Sequence, residues 1–163
     1  QAVMVRTVSP WAAALDPDNE AVYRANAADY EAEILTLDGE FRDFFATVED
    51  KTMVFGDRFP LRYFAEEYDL TCYAAFPGCG TQTEPSAATI AFLTEKVRQE
   101  RLPVVWYIEF SNHLVADSIA EAAGAGTALF HSCHNVSRAD LDAGATYVTL
   151  MEQNLNTLRN TMK

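Results

Sequence analysis

Apolar residues recur at alternating spacings of four and three from Tyr23 through Ala27, Tyr30, Ile34, Leu37, Phe41 and Phe44. That is the period of one helical face, so a long amphipathic helix is predicted over roughly residues 19–46, with acidic residues on its outer side. Asp16-Pro17-Asp18-Asn19 in front of it is a helix-start signal, because the polar side chains can cap and proline fits the first turn. Ala2-Val3-Met4-Val5 and Trp11-Ala12-Ala13-Ala14-Leu15 form an opening apolar segment before that signal. Beyond Glu49-Asp50-Lys51 the pattern shortens: apolar runs at 52–55, 71–76, 104–108 and 127–130 read as strands. Helices are predicted between them, at about 60–68, from near Pro85 through Ile90, Leu93 and Val97, and through Leu114, Val115 and Ile119. A last helix is announced by Ser137-x-x-Asp140, a variant of the capping box, and continues through Tyr147, Met151, Leu155, Leu158 and Met162. Strand and helix alternate four times. The expected fold is therefore α/β: a four-stranded parallel sheet flanked by helices and preceded by one long linker helix. The expected organisation is an opening segment and backbone helix in residues 1–50 and an α/β lobe in 51–163.

Composition narrows the function classes. A chain of 163 residues, 49% apolar with ten Phe and seven Tyr, can bury a core and is not disordered. Its formal charge of −12 is the opposite of the basic face that nucleic acid or anionic lipid requires, so no nucleic-acid partner is expected. No apolar run approaches the roughly 20 residues of a membrane span. The opening Gln1-Ala2-Val3-Met4-Val5-Arg6 reads as helix interior rather than signal peptide, so a processed or excised piece of a longer protein is expected. Three cysteines are too few for a disulfide scaffold.

In open α/β sheets, ligands bind outside the carboxyl ends of the strands. On that rule Asp57 follows the first strand, Cys79 and Gln82 lie in the loop after the second, Glu109 closes the third and His131 follows the fourth. His131-Ser132-Cys133-His134 holds two of the three histidines and one of the three cysteines, and imidazole and thiolate are zinc ligands. Structural roles compete with this reading. Asp57 also fits as the cap of the helix near Pro60, Glu109 as the partner of an arginine, and Glu84 as first-turn charge on the next helix. His113 reads as a solvated helix-opening residue, and one of His131 and His134 could instead bond backbone carbonyls. A Cys79–Cys133 disulfide is geometrically open, which would make the chain a scaffold domain without metal, while Cys72 reads as a buried small apolar residue. No enzyme is expected: there is no Gly-x-Ser-x-Gly elbow or Lys-bearing phosphate loop, and a Cys133/His134 nucleophile pair is disfavoured because adjacent residues rarely face one another.

Several stretches together resemble one family. They are Asp16-Pro17-Asp18-Asn19 with Tyr23-x-x-Asn26-Ala27-x-x-Tyr30, then Phe55-Gly56-Asp57-Arg58-Phe59-Pro60 with Tyr63-Phe64-Ala65, and Thr83-Glu84-Pro85-Ser86. Gly144-Ala145-Thr146-Tyr147 with Met151-x-x-Asn154-Leu155 completes the set. In order and spacing they resemble the C-terminal lobe, with its backbone helix, of the zinc/manganese-type substrate-binding lipoproteins of bacterial ABC transporters. The resemblance implies two α/β lobes joined by a long helix, with a divalent metal in the cleft between them. It implies Asp57 and His131 as metal ligands, where the family typically has His or Glu and Asp, with His134 and Cys79 as further candidates. A nitrogen-richer site tilts the metal toward zinc, with manganese as the alternative. The implied partners are an ABC permease in the membrane and an N-terminal lobe upstream of Gln1; the implied location is extracytoplasmic, through a lipidated N-terminus outside this chain. A lobe face left bare predicts self-association.

Overall fold

A computed structural model describes residues 1–76 and 84–162. The chain divides into two compact units, Gln1–Asp43 and Phe44–Lys163.

In the first unit, α1 (Ala2–Leu15) is a full helix, and a 3-10 turn (Pro17–Asn19) leads into α2 (Glu20–Thr47), which runs on into the second unit. Asp16 works as a side-chain lock rather than a cap. Its carboxylate accepts from Asn19 Nδ2 at 2.8 Å and from the Tyr23 hydroxyl at 3.0 Å, and these bonds, Asn19's first, hold it below the usual carboxylate range. One stripe of α1, Met4, Val8, Trp11 and Leu15, is exposed.

The second unit is built on four strands: β1 (Thr52–Arg58), β2 (Thr71–Phe76), β3 (Val104–Ile108) and β4 (Gly126–Phe130). They pair in the order β2-β1-β3-β4, and every pairing is parallel. Helices α3 (Arg62–Glu67), α4 (Ala87–Gln99) and α5 (Leu114–Ala123) connect successive strands, so all four carboxyl ends share one edge. The strand alternation sorts the apolar residues. Val54 and Val105 enter a core with Leu93, Val97, Ala116 and Ile119 of α4 and α5. Phe55, Trp106 and Phe130 form a cluster in which the Phe130 ring meets the other two edge to face, and Phe130 also meets Phe64 of α3. The α/β class, four-stranded parallel sheet and long preceding helix are as expected.

The boundaries differ in three places. β1 reaches Arg58 instead of stopping at Phe55, and α3 is shorter than predicted. The predicted last helix is two, α6 (Arg138–Asp142) and α7 (Tyr147–Thr161). Gly144 adopts a left-handed φ of 82°, which ends α6, and Thr146 opens α7 with a reciprocal capping box to Thr149.

Candidate metal centre

Because β1 leads out to β2 on one side while β3 lies on its other side, the strand order reverses between β1 and β3. In such sheets that switch point, at the carboxyl edge, is where a crevice opens. Asp57 stands there. Phe55 pairs with Ala74 and Arg58 with Phe76, so Gly56 and Asp57 oppose a single residue of β2 and the strand bulges. The bulge turns Asp57 toward β3: one carboxylate oxygen accepts from the Ile108 N–H at 3.3 Å, and the other from the Arg58 N–H at 2.7 Å. Asp57 therefore ties β1 to β3 from inside a strand and caps no helix, since α3 begins at Arg62 without a side-chain cap.

His131 is the first residue past β4, whose last pair is Ile108 with Phe130. Its backbone is held on both sides by one amide: the His131 N–H donates to Asn154 Oδ1 at 2.7 Å, and Asn154 Nδ2 donates to the His131 carbonyl at 2.8 Å. Glu109 grips the next residue, accepting the Ser132 N–H at 2.7 Å on one oxygen and the Ser132 hydroxyl on the other. Glu109 is thus paired with Ser132 rather than with an arginine. Burial acts to raise its pKa, but the hydrogen bonds from the Ser132 side chain and backbone, with others from backbone amides, outweigh it and hold the carboxyl below its ordinary 4.5. The chain then turns through Cys133 in a left-handed conformation, φ 59°, and His134 is exposed, with its N–H donating to Ser132 Oγ at 3.3 Å. Asn154 had no site role in the sequence reading. The signal was there: a polar residue on the apolar face of α7, between Met151 and Leu155.

The two leading candidates line separate cavities. Asp57 borders one of about 520 Å³ with Arg58, Glu84 and Asn112, while His131 borders one of about 250 Å³ with Glu109, Asn135 and Asp140. Ser111 lines both. Among the described residues, no three His, Cys, Asp or Glu side chains are gathered closely enough to hold a metal ion. Cys79 and Gln82 lie outside the described residues. Cys133 is a free thiol, and the Cys79 half of the proposed Cys79–Cys133 tether lies outside the described residues. Burial, and then the Glu109 charge, push its pKa up to about 11, so it is not the thiolate that nucleophilic chemistry needs. Cys72 is pushed up to about 12 by burial alone, as its place within β2 suggests. Glu84 stands before the Ser86 cap of α4 and outside its first turn. His113 is exposed at the opening of α5, as expected, with Nδ1 2.7 Å from Asp117 Oδ2 and its ring 5.1 Å from that of Tyr107.

The family model for ZnuA, zinc-uptake complex component A periplasmic, matches residues 2–161. The chain is 30% identical over 147 residues to the high-affinity zinc uptake system protein ZnuA of Bacillus subtilis, covering 90% of this chain and 46% of that protein. It is 28% identical over 145 residues to the zinc-binding lipoprotein AdcA of Streptococcus pneumoniae, covering 89% of this chain and 28% of that one. Among solved structures, the metal-dependent lipoprotein YcdH from Bacillus subtilis superposes with a TM-score of 0.79 at 28% identity, over 96% of this chain and 58% of that one. The Zn(II)-bound ZnuA-like domain of Streptococcus pneumoniae AdcA does so with a TM-score of 0.74 at 27% identity, over 94% and 57%. The chain thus spans less than half the length of these curated relatives. With the parallel sheet, the long helix and a match running from residue 2 to residue 161, the chain belongs to the zinc-uptake component A family.

Proposed function

We propose that this chain is the C-terminal lobe, with its backbone helix, of a solute-binding protein that holds zinc for uptake through an ABC permease. It is not an enzyme; it binds and hands over a cation, and zinc is its cargo. His131 and Asp57 are the proposed ligands, His134 is a further candidate, and residues 1–50 and 51–163 are the proposed helix-bearing segment and metal-binding lobe. The observation that carries this reading is the placement of His131 at the end of β4, with its main chain fixed by Asn154, on the same edge as Asp57. One strand, β3, lies between them, so their backbones are about 10 Å apart at ordinary strand spacing. An aspartate and a histidine can reach one ion above the end of β3, each making a bond of about 2.0–2.2 Å. Two ligands leave coordination positions open, and the length of the relatives beyond this chain is where the remaining donors are proposed to lie. Zinc is preferred to manganese because two relatives are named for zinc and the similar AdcA domain structure is Zn(II)-bound. An extracytoplasmic, lipid-anchored protein follows the same relatives' names.

Calorimetric titration tests the site. Zinc is expected to bind the chain at least ~10-fold more tightly than an Asp57→Ala/His131→Ala variant, since losing ligands costs no less than losing their outer-shell partners. Equal affinities would remove both residues from the site. Self-association belongs to the same reading, because Met4, Val8, Trp11 and Leu15 expose an apolar stripe on α1. Sedimentation velocity should show a boundary that moves faster as concentration rises; one invariant monomer boundary would count against it.

A further inference from the structure

Asn154 is fully buried, 0% exposed, on the face of α7 that also carries Met151, Leu155 and Leu158. A polar side chain in such a place costs stability unless its groups are bonded. Both polar atoms of the Asn154 amide are bonded: Oδ1 accepts from the His131 N–H at 2.7 Å, and Nδ2 donates to the His131 carbonyl at 2.8 Å and to Met151 Sδ at 3.3 Å. The amide cannot be turned over without setting donor against donor and acceptor against acceptor at His131. Exchanging one donor and one acceptor with a single residue is what an adjacent strand would do. Among the described residues, β4 is an edge strand with no such neighbour on its outer side. Asn154 supplies one residue's worth of strand pairing, and supplies it at His131 alone.

We propose that Asn154 is a positioning residue of the metal site: through paired hydrogen bonds to the His131 main chain, it fixes where the imidazole meets the ion. The inference rests on the reading of His131 as a zinc ligand. Without the amide, the His131 N–H loses its bond and the residue is placed only indirectly, by Glu109's hold on Ser132 and a 3.9 Å contact from the Cys133 thiol to the His131 carbonyl, so binding must order it further.

The test is a double-mutant comparison of zinc affinity by competition titration, on the full chain as wild type, Asn154→Leu, His131→Ala and the double variant. Asn154→Leu is expected to weaken zinc by about 10–100-fold and to alter the visible spectrum of the Co(II)-loaded protein. In the His131→Ala background it should have no further effect on affinity. Asn154→Asp keeps the acceptor for the His131 N–H and loses the donor to its carbonyl; it gives the same comparison if the leucine variant does not fold. Wild-type affinity in the Asn154 variants, or a loss that persists undiminished without His131, would overturn the positioning role while leaving His131 a ligand. Unchanged affinity in His131→Ala alone would instead overturn the ligand reading, and this inference with it.

Discussion

Replacing Phe130 with alanine is expected to destabilise the protein by about 3–5 kcal/mol, the range for truncating a fully buried aromatic. The ring is 0% exposed and sits at the centre of an aromatic cluster, with centroids 5.4 Å from Phe64, 5.9 Å from Trp106 and 6.3 Å from Phe55. Those partners come from α3, β3 and β1, so the cavity would open where three elements meet and none could close it alone. The residue also ends β4 directly before His131, so zinc affinity should fall with stability. Urea unfolding is the measurement: the midpoint should drop with little change in slope. A loss below about 1 kcal/mol would mean that the cluster collapses around the gap, contrary to its tight ring geometry.

The second large effect is expected at Gly56→Ala. A Cβ built there would lie 2.3 Å from Ala116 Cα and 2.6 Å from its nitrogen. Both are main-chain atoms of α5, so relief requires the helix itself to back away from β1. Overpacking of this kind costs about 1–3 kcal/mol, and the upper end is expected because no flexible side chain can yield. Gly56 shares the bulge with Asp57, so displacing α5 should disturb the Asp57–Ile108 hydrogen bond and weaken zinc binding. Gly39→Ala is the matched control: nothing lies within 4 Å of its added Cβ, and alanine there should be neutral or stabilising by up to about 1 kcal/mol. Equal thermal midpoints for the two variants would contradict the close approach of α5.

The alternation of strands and helices was legible because each strand is a short apolar run set between polar or Gly/Pro segments. The class of fold and the shared edge of the candidate residues followed from that alone. Gly56-Asp57-Arg58 falls outside the strand predicted over 52–55, because glycine beside aspartate ordinarily ends a strand; the bulge keeps β1 paired through Arg58 instead. The periodic apolar residues from Tyr147 onward masked the break at Gly144, where local backbone conformation prevails over amphipathic pattern. The contacts that shape the site were beyond sequence reasoning. Asn154 and Glu109 each stand 23 residues from the partners they hold, and only the fold brings them together. Glu109 looked like half of an ion pair, yet its partner is the neighbouring strand's exit loop.

Histidine ring nitrogens report metal ligation directly, and the chain has only three histidines, His113, His131 and His134. Long-range nitrogen–proton NMR of the imidazoles during a zinc titration should therefore show the His131 ring nitrogens shifting in step with binding. His113, held against Asp117 and Tyr107, should stay where it is. An unmoved His131 ring in the zinc-saturated protein would contradict its assignment as a ligand.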